Sequence, residues 1–272
     1  MTRHVLEAMG KAKVVVEDGR VVEVGEPQID YCPLFKRHRN IDVLTPQTVQ
    51  DNVEFRMRDF GMCTDDRSMR MEDFLSFGVS ELLSMGVAKG HMDAAVLVCD
   101  GAGSCVVDDP AMIQGIGGRI SGIVSTEIIP SVVEAIGADR VLDRQKGTID
   151  QFAMTDKAFL MKFRVLGVTV ADAKEARMLR DAYGPFVRLF AVHTTGLTRE
   201  EAEMMFDNCD VITACASRHL REVAETRSLL QVGTRIPIFA ATEFGKMLMT
   251  ERLQQIGKEP AESEDDPPRP TI

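Results

Sequence analysis

From residue 94 onward the sequence alternates short apolar runs with helix-like segments, and this alternation constrains the fold more than any other feature. The runs are AAVLVC (94–99), VLGVTV (165–170), FVRLFAV (186–192), DVITAC (210–215) and IPIFAA (236–241). Each of the last four is followed by ADAKEARMLRDAYG, LTREEAEMMFDNC, SRHLREVAETR or TEFGKMLMTERLQQI in turn. Short unbroken apolar runs suit strands covered on both faces, and the segments between them supply helical covers. The expectation is an α/β domain over 93–257 with a mainly parallel, Rossmann-like sheet and flanking helices. Thr198-x-x-Glu201 has the form of a capping box, and Asp172 and Ser217 are placed to start two further helices.

The residues before this pattern differ in kind. In AKVVVEDGRVVEVG (12–25) two β-branched runs flank Asp18-Gly19, a hairpin signal because such a turn demands positive φ. PQIDYCPLFKRHRN then reads as irregular. Thr45-Pro46 looks like an N-cap with proline at the first helical position, opening a helix to about Phe60 with Val49, Val53 and Met57 on one face. A second helix is expected over 70–86, with Phe74, Phe77, Leu82 and Met85 as its apolar face. Residues 1–92 thus read as an N-terminal module of a β-hairpin and two helices. The proline-rich, acidic segment KEPAESEDDPPRPTI (258–272) reads as a disordered, solvated tail.

Charge and composition narrow the function. The net charge of −10 argues against a general nucleic-acid binder, and no Trp with only two Tyr leaves little for base stacking. No apolar run approaches the roughly 18–20 residues of a membrane span. MTRHVLEAMGKAK lacks the apolar centre of a signal peptide, so a cytoplasmic location is expected. Six cysteines in such a chain are buried residues, metal ligands or reactive thiols rather than a disulfide framework.

In a parallel sheet, ligands gather outside the carboxyl ends of the strands. Reading just past each run gives Asp100, Gly101 and Gly103; His193, Thr194 and Thr195; Cys215, Ser217 and Arg218; and Glu243. This rim could bind a small anion or do acid–base work, with Cys215, His193, Asp100 and Glu243 as catalytic candidates. The competing reading makes Thr194, Ser217 and Thr242 helix caps and His193 an ordinary loop residue. A helix start would lower the pKa of Cys215, which makes it a candidate nucleophile, although a free cysteine is also a common core residue. In VLVCDGAGSCVV (96–107), Asp100 and the glycines are the expected working parts, with Cys99 packed and Cys105 structural. GIGGRISG (115–122) adds Gly117, Gly118 and Arg119 as ligand-binding candidates, but its spacing is not that of a dinucleotide fingerprint. A flexible turn is the alternative there. The cysteines fit no closed zinc template; Cys32 and Cys63, in irregular segments, are the better metal-ligand candidates, and an iron–sulfur cluster is the cofactor they suggest.

Seven motifs in order, YCPLF (31–35), FGMCT (60–64), DFLSFGVSE (73–81), VCDGAG (98–103), QGIGGRISGI (114–123), FAVHTTG (190–196) and TACAS (213–217), resemble the methanogenesis marker protein 8 family from about His4 to Ile256. The resemblance implies an archaeal, anaerobic cytoplasm and an accessory role in assembly, maturation or activation of methyl-coenzyme M reductase, with the reductase or its maturation machinery as partner. It carries over no catalytic residue. The residues themselves point to an enzyme, or a sensor without turnover, that takes a small anionic metabolite at the strand ends.

Overall fold

The computed structural model describes residues 2–72, 77–118, 122–260 and 266–272. The chain opens with β1 (Arg3–Glu7), β2 (Lys13–Glu17) and β3 (Arg20–Val24), followed by α1 (Pro33–Arg39), α2 (Pro46–Phe60) and α3 (Val79–Ala88). Then come β4 (Ala94–Cys99), β5 (Gly103–Val107), α4 (Pro110–Gly117), β6 (Gly122–Thr126), α5 (Pro130–Ile136) and α6 (Gln151–Leu160). The remainder is β7 (Leu166–Val170), α7 (Ala173–Tyr183), β8 (Val187–Ala191), α8 (Arg199–Asn208), β9 (Val211–Thr213), α9 (Arg218–Arg227), β10 (Leu230–Val232), β11 (Ile238–Ala240) and α10 (Glu243–Gln255).

Two sheets result. The larger has the order β10-β11-β9-β8-β7-β4-β5. Its four central strands, β9, β8, β7 and β4, are parallel neighbours. The expected α/β class with parallel pairs and flanking helices is therefore present. Alternate residues of β4 enter different cores. Ala94 and Val96 pack with α6, α7, α8 and α9, while Ala95, Leu97 and Cys99 pack with α3, α4, α5 and α10. Burial on both faces explains why these strands read as unbroken apolar runs. The parallel strands follow one another in sequence order with no reversal, so this part of the sheet lacks the switch point at which a Rossmann sheet opens its crevice. Asp172 and Ser217 cap α7 and α9, and Thr198 with Glu201 forms the capping box of α8, as the residue types require.

The run at 236–241 departs from expectation. β11 pairs antiparallel with both β9 and β10, because the short segment before it reverses the chain instead of crossing over. β4 likewise turns straight back into β5, Cys99 facing Gly103, so VLVCDGAGSCVV is a hairpin on one side and a parallel strand on the other.

The smaller sheet has the order β3-β2-β1-β6 and is antiparallel throughout. Asp18 (φ 47°) and Gly19 (φ 71°) both take the positive φ that joins β2 to β3 in a tight hairpin. The fourth strand, β6, comes from far beyond residue 92, so the N-terminal module is completed by the middle of the chain. The irregular segment contains α1, started by Pro33. α2 occupies its expected span, with a Thr45/Thr48 capping box and Gly61 at φ 73° to end it. The helix expected over 70–86 starts at Val79; at its expected start the backbone of Met69 and Arg70 lies against Gly115, where an added Cβ would fall 2.2 Å from the Met69 carbonyl oxygen. Phe74 lies outside the described residues.

The last seven residues are not a free tail. Arg269 O accepts from Asp30 N (2.7 Å) and Tyr31 N (3.0 Å), and Arg269 N donates to Tyr31 O (3.0 Å). Ile272 N donates to Ala216 O and Ile272 O accepts from Arg218 N, both at 2.9 Å. The segment straps the start of α1 to the start of α9. Backbone pairing, which composition does not report, holds it there. Among the described residues no helix is long and apolar enough to cross a membrane.

Candidate functional site

A branched cleft lies where the carboxyl ends of β4, β7 and β8 meet the smaller sheet. Its floor chamber, about 350 Å³, is lined by Val98, Val170, Val192 and His193 from below and by Glu7, Lys11, Ile123 and Val124 from above. A broad chamber of about 670 Å³ runs from Gly117, Gly118 and Ser80 past Val192 to Cys215, Arg37 and Arg235. An inner chamber of about 180 Å³ shares walls with both and is lined by Cys32, Arg56, His193, Thr195, Cys215 and Pro268. The cleft thus lies at the end of the sheet from which the sequence reading drew its candidates.

His193 and Cys215 sit at equivalent places, just past adjacent parallel strands. Ala191 is in register with Ile212, and continuing that register sets His193 and Thr194 beside Ala214 and Cys215. Both hold positive φ, 55° for His193 and 43° for Cys215. Lys11, a third lining residue, has φ 61°. Non-glycine residues in this region carry of order 1–3 kcal/mol of strain each, which tertiary contacts must sustain. Thr194 is buried, and its hydroxyl donates to the Thr213 carbonyl, tying the two strand ends together. Thr195 Oγ1 accepts from Ala216 N at 3.2 Å.

The electrostatics follow from enclosure. His193 is exposed within the cleft, yet desolvation by the protein around it, with Arg56 repelling a second positive charge, pushes its pKa down to about 4. Burial raises the Cys215 thiol, against hydrogen bonds to Thr194, while Cys32 nearby adds to the rise and Arg221 opposes it. Burial also raises Glu175, which accepts from Gln151 N (3.1 Å) and stands near Asp150 and Asp172. Lys11 Nζ lies 3.9 Å from Glu7 Oε2. Glu81 is buried, accepting from Ser80 Oγ (2.9 Å) and Gln114 Nε2 (2.7 Å).

Other expected site residues lie elsewhere. Asp100 is fully buried, its carboxylate bound by Arg67 Nε at 3.0 Å and Cys63 N at 2.6 Å. Gly101 (φ 84°) and Gly103 (φ 75°) serve the β4–β5 turn, where a Cβ would meet Ile129 at 2.8 Å and Thr148 O at 2.4 Å. Neither leaves room for a ligand. Ser217 is buried and caps α9. Arg218 points at Glu222 (2.9 Å) on the surface. Glu243 follows antiparallel β11 and is placed at the opposite end of the sheet, where its neighbour Thr242 donates to Asp210 at the start of β9. Gly117 and Gly118 do line the cleft. Arg119 lies outside the described residues.

Cys32 and Cys63 are both buried and do not come together. Cys63 neighbours Cys99 and Asp100, whereas Cys32 neighbours Cys215. Among the described residues, no group of three or more His, Cys, Asp or Glu side chains is arranged to hold a metal ion. Cys99 and Cys105 are buried in the core, and burial pushes the Cys105 thiol up to about 12. Sequence reasoning missed Arg37, Arg56 and Arg235. The basic run FKRHR, set against an acidic chain, was the available signal for the first.

Residues 4–254 match the model of an archaeal family, DUF2099, described as an uncharacterized protein conserved in archaea. The chain belongs to this archaeal family. It is also 40% identical over 263 residues to an uncharacterized protein of Methanocaldococcus jannaschii, a match covering 95% of this chain and 93% of that protein. No solved structure matches it.

Proposed function

We propose that this member of the archaeal family binds a small anionic metabolite in the cleft at the carboxyl ends of β4, β7 and β8. One observation carries the reading. In a protein of net charge −10, Arg37 and Arg235 line the broad chamber and Arg56 and Lys11 the inner one, and the two chambers share Leu34, Cys215 and Ile236 as wall. Of the acids there, Glu7 stands beside Lys11, Glu81 is held by Ser80 and Gln114, and Glu175 accepts from Gln151 N, while Asp266 stands near Arg235. A cationic lining inside low-dielectric walls concentrates anions. Guanidinium groups also suit phosphate or carboxylate oxygens.

The test is a melting-temperature screen against phosphorylated and carboxylated metabolites. At least one should raise the melting temperature of the natural chain and lose most of that effect in Arg56→Ala. A panel that shifts nothing would remove the reading.

The cellular setting we propose for this site is the archaeal cytoplasm, in an accessory role around methyl-coenzyme M reductase. The family resemblance supports that setting, and anaerobic co-purification tests it: tagged protein that never enriches a reductase subunit would sink it. An iron–sulfur cluster fits the described residues poorly, because Cys32 and Cys63 occupy separate places. Stoichiometric iron and sulfide in anaerobically purified protein would reinstate it.

A further inference from the structure

We propose that Cys215 is a nucleophile that accepts an acyl group from an anionic ester or thioester, with His193 as its base and Arg56 holding the anionic end. The proposal rests on the cleft being a ligand site. Cys215 sits on a tight turn between β9 and α9, flanked by the buried Ala214 and Ala216 and hydrogen-bonded by Thr194. A strand–turn–helix with positive φ at the central residue thrusts that side chain out of the turn. Of the six cysteines, five are buried and Cys215 alone is partly exposed. It faces both the broad and the inner chambers, and His193 and Arg56 face the inner one.

The charged and titratable groups around His193 explain why the pair is inactive when empty. They are Glu7 at the end of β1, Lys11 in the turn between β1 and β2, Arg56 from α2, Cys32 before α1, Cys215, and Glu175 across the floor chamber. Desolvation and Arg56 keep the imidazole neutral and weakly basic, and burial keeps the proton on the Cys215 thiol that shares its chamber. An anionic substrate group placed against Arg56 cancels its repulsion and makes His193 a stronger base as the substrate arrives. His193 then takes the Sγ proton while sulfur bonds to the carbonyl carbon. Collapse breaks the bond to the leaving oxygen or sulfur, which takes the proton from His193. Water hydrolyses the acyl-cysteine, releasing a carboxylate and restoring the thiol.

The probes are the anionic ester mono-p-nitrophenyl succinate and neutral p-nitrophenyl acetate. Peptide mass spectrometry should place the acyl group on Cys215, and the anionic ester should react about tenfold faster than the neutral one. His193→Gln should slow acylation about 10²-fold, Arg56→Ala should abolish the preference for the anionic ester, and Cys215→Ala should lose the adduct. Cys215→Ser covers the case in which the alanine variant does not fold, since it should slow acylation sharply or move the adduct to oxygen. Succinate should raise the His193 pKa in the intact chain, read by NMR of the ring. No adduct on Cys215, with a metabolite still raising the melting temperature, overturns the nucleophile and leaves the binding site standing. Failure of both overturns both.

Discussion

Two strand ends that look alike in sequence have opposite fates. VCDGAG after β4 and AVHTTG after β8 each bring polar residues and glycines to the carboxyl edge of the same sheet. At the first, β5 turns straight back, Gly101 N donates to Thr126 Oγ1 (2.7 Å) and Ile129 N donates to Gly101 O (2.8 Å), so the smaller sheet rests directly on the loop. Asp100 is sealed against Arg67 there, with 0% and 1% of their side chains exposed. Arg67 also donates to Gly115 O (3.0 Å) and lies 4.8 Å from the Phe60 ring centroid. At the second, the chain passes on to α8; β6 approaches His193 only through Gly122, where an added Cβ would lie 3.4 Å from the ring, and the floor chamber opens between them. A polar strand end becomes a site only where the roof above it leaves space; where the roof closes, the same residue types become a joint.

The largest test of this contrast falls on the joint. Asp100→Ala leaves a buried guanidinium without its carboxylate and should cost about 3–5 kcal/mol of stability in chemical denaturation. A variant as stable as the natural chain would show that the joint does not hold the sheets together. Next in size is removal of residues 266–272. Lost backbone pairing to Tyr31 and Ala216, offset by regained chain entropy, should cost about 1–2 kcal/mol. Since Pro268 lines the inner chamber, iodoacetamide should then alkylate Cys215 faster; an unchanged rate would mean that the strap does not cover the chamber.

A smaller effect should appear on acidification. The His193 pKa of about 4 lies below its ordinary 6.5, so the unfolded chain takes up the proton first and stability falls as pH drops from about 6.5 toward 4. His4, buried and also lowered, acts in the same direction. His193→Gln should flatten part of this loss, and an unaltered pH profile would show that the cleft does not desolvate the ring. Smallest of all, Arg218→Ala and Glu243→Gln should stay within about 0.5 kcal/mol of the natural chain and leave any anion-induced rise in melting temperature intact. A rise lost in Arg218→Ala would return that residue to the site.

Much of the larger sheet was legible because its signals are local. Apolar runs covered on both faces, Asp172, Thr198 and Ser217 at helix starts, and Asp18-Gly19 at a turn all act within a few residues. The direction of β11 was not, since an apolar run of six residues reads the same forwards or backwards. The pairing of β1 with β6 joins segments more than a hundred residues apart, and no periodicity in either announces the other. The strap hid for a related reason: its acidic, proline-rich composition suits solvent, while backbone groups at Arg269 and Ile272, with Asp266 and Arg269 on Tyr31, attach it.

For the site, residue chemistry alone selected His193, Thr195, Cys215, Gly117 and Gly118, all of which line the cleft, and equally Asp100, Ser217, Arg218 and Glu243, which do not. Sequence by itself determined the α/β class, the strand and helix caps and the edge of the sheet over which the cleft opens, because propensity, periodicity and strand polarity are written along the chain. The tertiary structure alone decided which polar residues at that edge are buried against a partner and which face a cavity. Burial and charge pairing are set by what the distant segments β6, α2 and 266–272 place overhead.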